Sequence, residues 1–258
     1  MNGAGHAIEL DSVSKTFPGG TRAVREVSLR VGGGQILVLL GSSGCGKTTT
    51  LRMINRMIEP TGGRVLVGGM DVRERPVLEL RRSMGYVFQD IGLFPHMSAG
   101  ENAGVVLRLL GWDRRRRRAR AAEMLERVGL GGDGFYRRMP AKLSGGQQQR
   151  VGIARALAAD PGYLLMDEPF GALDAITREQ LQDELVRLQR ETPRTVVFVT
   201  HDLFEAVRLG DRIAVMHEGR VEQAGAAREL MSEPGTGFVR ELFGRAKDQA
   251  EMLLGAHA

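Results

Sequence analysis

The chain of 258 residues is long enough for one large α/β domain or two small ones. Its hydrophobic fraction of 42% and charged fraction of 26% are ordinary for a globular protein and argue against a disordered chain. A single cysteine excludes an internal disulfide, a zinc ribbon and a cysteine-ligated iron–sulfur cluster, and it favours a reducing compartment. The net charge of +5 suits anionic ligands or an anionic membrane surface, but it does not indicate nucleic-acid binding.

The longest purely apolar run is Ile36–Leu40, which is far below the roughly 20 residues that a membrane-spanning helix needs. Polar residues also interrupt the N-terminus, so it does not have the pattern of a signal peptide. We therefore expect a chain that does not span a membrane.

Strand and helix patterns alternate along the sequence. Apolar alternation at residues 8–13 and 24–31 predicts half-buried antiparallel strands, whereas continuous apolar runs are typical of buried parallel strands. Those runs lie at Ile36–Leu40, 163–166 and 196–199. Helical periodicity covers 48–57, 101–110, 114–128, 147–158, 177–190 and Leu203–Leu209. A strand pair at Arg212–His217 and 220–224 precedes a short helical tail. Together these patterns predict βαβ units around a mostly parallel sheet.

A glycine-rich loop opens the first of these helices. Residues 41–48 read GSSGCGKT and fit G-x-x-x-x-G-K-[ST], with an apolar strand before the loop and a helix after it. Its backbone N–H groups would cradle phosphate oxygens, Lys47 would reach the terminal phosphates, and the Thr48 hydroxyl would ligate Mg²⁺. Cys45 is expected to be a small residue that the loop tolerates. The alternative is a glycine-rich turn that contains a lysine by chance.

Two acidic residues end the apolar run at 163–166. Asp167 is predicted to lie beside Thr48 at the same edge of the sheet and to hold Mg²⁺, directly or through water. Glu168 leaves the strand, where its carboxylate could polarise an attacking water. Without a phosphate loop, two acids in this position would simply begin a loop.

A second helix start has anion-binding features. Ser144 and Gln147 have capping-box spacing, and the two glycines between them expose backbone N–H groups. A helix cap without further function is the alternative interpretation.

These motifs resemble those of the ATP-binding subunits of ABC transporters, because the sequence LSGGQ at 143–147 lies between the phosphate loop and the Asp-Glu pair. The resemblance runs from about residue 8 to about 243. It implies an α/β fold with a P-loop NTPase core, an N-terminal antiparallel β subdomain and a helical subdomain inserted at about 90–150. A single ATP-binding domain at 8–243 would then be followed by a short tail at 244–258 without CBS modules.

The resemblance also implies roles for individual residues. Phe17 would stack on adenine, Gln89 would sense Mg²⁺ and the attacking water, and His201 would contact the γ-phosphate. Ser144, Gly146 and Gln147 would serve the nucleotide of a partner chain, and Asp174 would cross the dimer interface. The expected catalytic residues are Glu168, His201, Gln89 and Lys47, and the expected Mg²⁺ ligands are Thr48, Gln89 and Asp167. The other expected nucleotide-binding residues are Gly41, Ser42, Ser43, Gly44, Cys45, Gly46, Thr49 and Gly145.

The implied activity is ATP hydrolysis that drives import, with ATP and Mg²⁺ bound between two head-to-tail copies. Further expected partners are membrane permease subunits, which would dock near residues 90–97, and indirectly an extracytoplasmic solute-binding protein. Nucleic acid is not an expected partner. The chain would lie peripherally on the cytoplasmic face of the bacterial plasma membrane.

Several stretches, including residues 15–20, are most similar to importers of quaternary-ammonium osmoprotectants such as glycine betaine, choline or carnitine. The sequence leaves open the solute, the direction of transport, the regulation, and whether the dimer has two identical chains. The alternatives are an importer ATPase for another solute such as an amino acid, an efflux ATPase, or an ABC ATPase acting on DNA or ribosomes. The run at 114–118 is predicted to be a solvated helix face, with contact to lipid headgroups or a partner as the alternative.

Overall fold

A computed structural model describes residues 6–244, except for the side chain of Asp133, and it divides the chain into two units. The first unit combines residues up to Val72 with those from Val197 onward, and the second comprises Arg73–Val196. Of the tail predicted at 244–258, residues 245–258 lie outside the described residues. Within the described ranges, no helix combines the length and apolar character needed to cross a bilayer.

The first unit begins with an antiparallel sheet. Its strand order is β2-β1-β4-β5, and its members are β1 (Ile8–Thr16), β2 (Arg22–Val31), β4 (Gly62–Val67) and β5 (Met70–Asp71). Val27, Leu29 and Val31 are buried on alternate positions of β2, as a half-buried strand requires. This arrangement confirms the predicted N-terminal antiparallel sheet.

A second set of strands in this unit contains β3 (Ile36–Leu40), β9 (Arg212–His217) and β10 (Arg220–Gly225). β9 runs parallel to β3 and antiparallel to β10, and β8 (Thr195–Thr200) lies on the other side of β3. All five residues of β3 are buried, as its continuous apolar sequence predicts. The helices of the unit include α1 (Lys47–Ile54), α9 (Leu203–Leu209) and α10 (Ala227–Ser232), and residues 237–244 are also helical.

The second unit contains the parallel pair β6 (Met84–Val87) and β7 (Tyr163–Asp167). Between these two strands, the regular secondary structure is helical. The helical segments of the unit are α2 (Val77–Arg82), α3 (Ala99–Ala103), α4 (Val105–Leu109), α5 (Arg114–Arg127), α6 (Asp133–Tyr136), a 3₁₀ turn (Pro140–Lys142), α7 (Gly145–Leu157) and α8 (Ala175–Glu191). The predicted α/β fold is therefore confirmed, whereas the domain limits 8–243 and the subdomain limits 90–150 stay predictions.

Two predicted helices were wrong in extent. The helix expected at 101–110 is divided into α3 and α4, because Gly104 has ψ near zero and interrupts the α-helical backbone. The helix expected at 48–57 ends at Ile54, because Arg56 has a left-handed φ of 55°. The side chain of Asn55 accepts a hydrogen bond from Met57 N–H in the turn that follows.

Candidate functional site

The glycine-rich loop curls between β3 and α1 in the first unit. Gly44 and Gly46 have φ of 81° and 103°, which are conformations that glycine adopts at little cost. A Cβ on Gly46 would lie 2.4 Å from the carbonyl oxygen of Ala23, and one on Gly41 would lie 2.3 Å from that of Met216. The loop can therefore form only with glycine at these two positions.

Lys47 is held inside this loop. Its side chain is buried, with 4% exposure, and Nζ donates hydrogen bonds to the carbonyl oxygens of Gly41 (2.7 Å) and Ser42 (2.8 Å). Thr48 and Thr49 follow in the first turn of α1 and are partly accessible. A buried ammonium group beside a helix N-terminus suits a phosphate ligand, because both features attract negative charge.

Cys45 lies within the loop, where its thiol is buried. Burial raises the pKa of this thiol, and the nearby Lys47 ammonium opposes that shift. The carbonyl oxygen of Cys45 accepts a hydrogen bond from Gly219 N–H (3.0 Å), which ties the loop to the β9–β10 turn. These contacts are compatible with the expectation that Cys45 is a small residue that the loop tolerates.

His201 follows β8, which neighbours β3 in the same unit. Its side chain is exposed. The next residue, Asp202, caps α9 by accepting hydrogen bonds from the N–H groups of Phe204 (2.8 Å) and Glu205 (3.2 Å). His201 therefore lies in a turn with a fixed backbone, at a strand end where side chains of an α/β sheet commonly meet ligands.

Phe17 lies at the end of β1, in a turn closed by hydrogen bonds between Phe17 and both Gly20 and Thr21. The ring is partly accessible, and Lys15 Nζ lies 5.3 Å from its centre. An accessible aromatic face is compatible with stacking on a base, and the adenine contact stays a prediction.

The second unit brings Gln89 and Glu168 to one edge of its sheet. β6 and β7 are parallel, and Val87 is paired with Met166, so Gln89 and Glu168 each lie two residues beyond this pair. Asp167, the last residue of β7, is fully buried. Glu168 has φ of 44°, a strained backbone of the kind that accumulates at functional sites. The edge therefore has an amide and two carboxyl groups in a fixed arrangement.

The N-terminus of α7 is built as the sequence predicts. Ser144 Oγ accepts a hydrogen bond from Gln147 N–H (3.3 Å), and Gln147 Oε1 accepts one from Ser144 N–H (3.0 Å). Ser144 and Gly145 are exposed. Gly145 has open space where a side chain would be, so the helix end is accessible to an anion.

The loop that contains Asp174 packs against this helix end. A Cβ on Gly146 would lie 3.2 Å from Cδ2 of Leu173 and 3.4 Å from the carbonyl oxygen of Ala172. Asp174 caps α8 by accepting a hydrogen bond from Thr177 N–H (2.9 Å), and that bond lowers the pKa of the carboxyl group. Two of the predicted nucleotide-binding segments therefore lie together within the second unit.

Sequence analysis missed the role of Arg155. This buried side chain on α7 donates hydrogen bonds to the carbonyl oxygens of Gly92 (2.7 Å) and Ile91 (2.9 Å), in the loop after Gln89. Ile91 and Gly92 have consecutive left-handed backbones, with φ of 49° and 57°. The only sequence feature that could have indicated this contact is an arginine on an otherwise apolar face of α7.

The candidate residues divide between the two units. The first unit holds the phosphate loop, Phe17 and His201, and the second holds Gln89, Asp167, Glu168, the α7 N-terminus and Asp174. The proximity of Asp167 to Thr48 stays a prediction. Among residues 6–244, no cluster of three or more His, Cys, Asp or Glu side chains could hold a metal ion. The hydroxyl, amide and carboxyl oxygens at Thr48, Gln89 and Asp167 are nevertheless the hard ligands that Mg²⁺ prefers.

Comparison with known proteins agrees with this geometry. Residues 24–171 match the family model of the ABC transporter. The chain is 48% identical over 240 residues to the glycine betaine/carnitine/choline transport ATP-binding protein of Bacillus subtilis. That match covers 93% of this chain but 63% of the relative, so the chain spans less than two thirds of that protein. The chain is also 49% identical to the glycine betaine uptake system ATP-binding protein of Escherichia coli, over 95% of this chain and 79% of the relative.

A solved structure of this family is also similar to the chain. The dimeric ATP-binding cassette MJ0796, in a post-hydrolysis state bound to ADP and Pi, has a TM-score of 0.79 and 36% sequence identity. The match covers 85% of this chain and 98% of that one. The family match covers more than half of the chain and includes both the phosphate loop and LSGGQ. The chain belongs to the ABC transporter family.

Proposed function

We propose that the chain is the ATP-hydrolysing subunit of an ABC importer and that two copies bind two ATP molecules between them. The observation that carries this proposal is a pair of glycine-rich helix N-termini in one chain, at Gly46–Lys47 and at Ser144–Gly145, both of which suit an anion. The two ends lie in different units. The loop before α1 has the glycines of its motif, and the start of α7 has both the glycines and the capping box that its motif predicts. One chain supplies one of each, so two copies would complete two composite sites.

The residues of the first unit would bind and orient the triphosphate. Lys47 would exchange its loop carbonyl partners for β- and γ-phosphate oxygens, and the loop N–H groups would point at the same anion. His201 would donate a hydrogen bond to the γ-phosphate, and Phe17 would pack on the base. The work of these groups is positioning and neutralisation of charge rather than covalent chemistry.

The residues of the second unit would act on the water. Glu168 would accept a proton from the attacking water, and its fixed backbone would aim the carboxylate. Gln89, at the same strand edge, would orient that water. Bound Mg²⁺ would supply charge neutralisation on the phosphates, with Thr48, Gln89 and Asp167 as the residues that would hold it. Ser144, Gly145, Gly146 and Gln147 would contact the nucleotide of the other copy.

The proposed solute is a quaternary-ammonium osmoprotectant, and the support for it is resemblance. Several similar curated proteins carry names that refer to glycine betaine, choline or carnitine transport. The solute itself would be handled by membrane and solute-binding partners, with this chain at the cytoplasmic side of the membrane.

Two measurements test the proposal. Hydrolysis by the purified chain should rise more steeply than linearly with protein concentration at the low end, because the active site needs two copies. Hydrolysis strictly proportional to protein at every concentration would contradict the composite site.

The solute assignment is tested in a strain that has no other betaine transporter. Deletion of the gene from this strain should abolish uptake of labelled glycine betaine, and retained uptake would contradict the solute assignment.

A further inference from the structure

The side-chain amide of Gln149, on α7, is enclosed by the protein. The residue is 1% exposed, and in the part of the chain that the structure describes neither Nε2 nor Oε1 has a hydrogen-bond partner. The neighbouring Gln148 differs, because its Nε2 donates to the carbonyl oxygens of Pro140 and Leu143, both at 3.2 Å. A buried amide without partners is costly, so this conformation carries a free-energy cost at Gln149.

Two contacts fix the position of Gln149 along the sheet. A Cβ on Gly85, in β6, would lie 2.4 Å from the carbonyl oxygen of Ala156, and one on Gly152 would lie 3.8 Å from the carbonyl oxygen of Ile91. Helix α7 therefore runs antiparallel to β6. Gln149 precedes Ala156 by seven residues, and the corresponding rise of about 10 Å along a helix matches about three residues of a strand. Gln149 is therefore level with the turn that follows β6.

That turn contains Gln89, and its backbone is strained. Ile91 N–H donates a hydrogen bond to the carbonyl oxygen of Phe88 (3.3 Å), and Gly92 N–H donates one to the carbonyl oxygen of Asp90. Ile91 is the central residue of the three-residue turn that the second hydrogen bond closes, and its φ is 49°. A left-handed backbone is rare for a β-branched residue, and a three-residue turn with a positive φ is the strained form. The turn therefore carries a cost of its own.

One movement would remove both costs. Arg155 already donates to the carbonyl oxygens of Ile91 and Gly92, at 2.9 and 2.7 Å. The carbonyl oxygen of Asp90 is different, because its partner is the N–H group that closes the strained turn. When Ile91 adopts a negative φ, this turn opens and the Asp90 carbonyl oxygen becomes an acceptor for Gln149 Nε2.

We infer that Gln149 is a positioning residue for Gln89 and that the turn after β6 has two conformations. In the first, which the structure describes, the Gln149 amide is unpaired and Ile91 is strained. In the second, Gln149 Nε2 donates to the carbonyl oxygen of Asp90, and the turn holds Gln89 in contact with the nucleotide. Nucleotide binding favours the second conformation because it gains that contact. The inference rests on the proposed function, which assigns Gln89 to the ATP site.

The first test measures the stability of the full chain without nucleotide. Gln149→Met keeps a similar size and helix propensity but has no polar group. It should raise Tm by about 2 °C or more, because it removes a buried amide that has no partner. Gln148→Met is the matched control and should lower Tm, since it removes two hydrogen bonds. A fall in Tm for Gln149→Met would show that this amide is already paired, for example with an ordered water, and would overturn the inference.

The second test adds ATP and Mg²⁺. Gln149→Met should bind ATP about threefold or more weakly than the wild type, because the variant loses the hydrogen bond of the second conformation. Saturating ATP should therefore raise its Tm by less than it raises that of the wild type. A side chain with a purely structural role would not give higher stability together with weaker ATP binding. Equal ATP affinity of the variant and the wild type would overturn the role of Gln149.

Ile91→Gly tests the two conformations of the turn independently. Glycine adopts a left-handed φ at little cost, so this variant favours the first conformation and should also bind ATP about threefold or more weakly. Ser12→Gly is the control, because Ser12 is an exposed residue of the first unit with a similar φ of 50°. Its ATP affinity should equal that of the wild type. Equal affinities of both glycine variants would overturn the second conformation.

These outcomes separate the inference from the proposed function. A wild-type chain whose Tm does not respond to ATP would contradict the proposed function, and with it the contact between Gln89 and the nucleotide. A wild-type chain that responds to ATP, together with a Gln149→Met variant of equal affinity, would contradict the role of Gln149 alone.

Discussion

Arg155 donates a hydrogen bond of 2.7 Å to the carbonyl oxygen of Gly92 and thereby joins α7 to the loop that follows Gln89. Burial lowers the pKa of this guanidinium, because an apolar environment disfavours its charged form. The hydrogen bonds to the carbonyl oxygens offset that cost and keep the charged side chain buried. Helix α7, whose N-terminus contains the LSGGQ sequence, is therefore joined by hydrogen bonds to the loop after Gln89 within one unit.

We expect Arg155→Leu to reduce kcat for ATP hydrolysis more than it weakens ATP binding, because the loop after Gln89 loses its anchor. It should also lower the free energy of unfolding by about 2–3 kcal/mol, since two buried carbonyl groups lose a donor. Steady-state kinetics, calorimetry and urea unfolding measure these effects. Arg120→Leu is the control, because Arg120 donates to Ala158 and not to this loop. Equal losses of kcat in both variants would argue against the connection.

Lys47→Ala should weaken ATP binding by about tenfold or more, because a charged donor to phosphate oxygens contributes at least about 1.4 kcal/mol. Isothermal calorimetry measures the dissociation constant. Lys142→Ala removes the same charge from an exposed site and should leave the affinity unchanged. Unchanged affinity in a folded Lys47→Ala chain would contradict the phosphate-binding role.

Glu168→Gln should bind ATP as the wild type does but hydrolyse it at least about a hundredfold more slowly, because the amide cannot accept the proton from water. The ATP-bound dimer should then persist in size-exclusion chromatography. Glu74→Gln replaces an exposed carboxylate of the same unit and should hydrolyse normally. Undiminished turnover in Glu168→Gln would reject the assignment of the general base.

The sequence predicts the local parts of this site well, because strand ends, caps and glycine spacing are encoded in neighbouring residues. The cap formed by Ser144 and Gln147 is an example. Contacts between distant segments were not predictable. The contact of Arg155 with Ile91 depends on packing of α7 against a loop more than sixty residues away in the chain.

Weak local signals explain the missed elements. β4 begins with Gly-Gly-Arg, which is typical of a loop, and it becomes a strand because β1 supplies its hydrogen-bond partners. The position of Arg117, within the arginine run at 114–118 and beside Gly104, depends on how α5 packs against the junction of α3 and α4. Helical periodicity alone gives no information about that packing.

Cys45 should react slowly with iodoacetamide in the native chain, by at least about tenfold relative to the unfolded chain. Its raised pKa lowers the thiolate fraction at any given pH, and burial restricts access of the reagent. The rate should rise with pH with a midpoint above that of a free cysteine. Mass spectrometry of the labelled chain over a pH series measures this, and the same series in urea gives the reference. A native rate equal to the rate in urea would show that the thiol is accessible.

Two inactive variants should restore activity when they are mixed. Gly145→Glu places a carboxylate at the exposed N-terminus of α7 without a steric clash, since no atom lies within 4 Å of the added Cβ. The new charge would repel the γ-phosphate of the partner's nucleotide but leave the chain's own phosphate loop intact. Gly237→Glu, another exposed glycine with open space around it, is the control and should hydrolyse normally.

Lys47→Ala damages the other half of each site. In a mixed dimer with Gly145→Glu, one site combines both damaged halves, and the other combines an intact phosphate loop with an intact α7 N-terminus. Equal mixing gives mixed dimers in about half of the population, so the mixture should recover about a quarter of wild-type hydrolysis if the two sites act independently. Each variant alone should remain inactive at any concentration. A mixture that stays as inactive as its components, despite proven exchange of subunits, would have two explanations. Either each chain needs its own phosphate loop and its own α7 N-terminus together, or one intact site per dimer is insufficient for hydrolysis. A covalently linked dimer with a single damaged α7 N-terminus separates these two outcomes, because it retains one intact composite site.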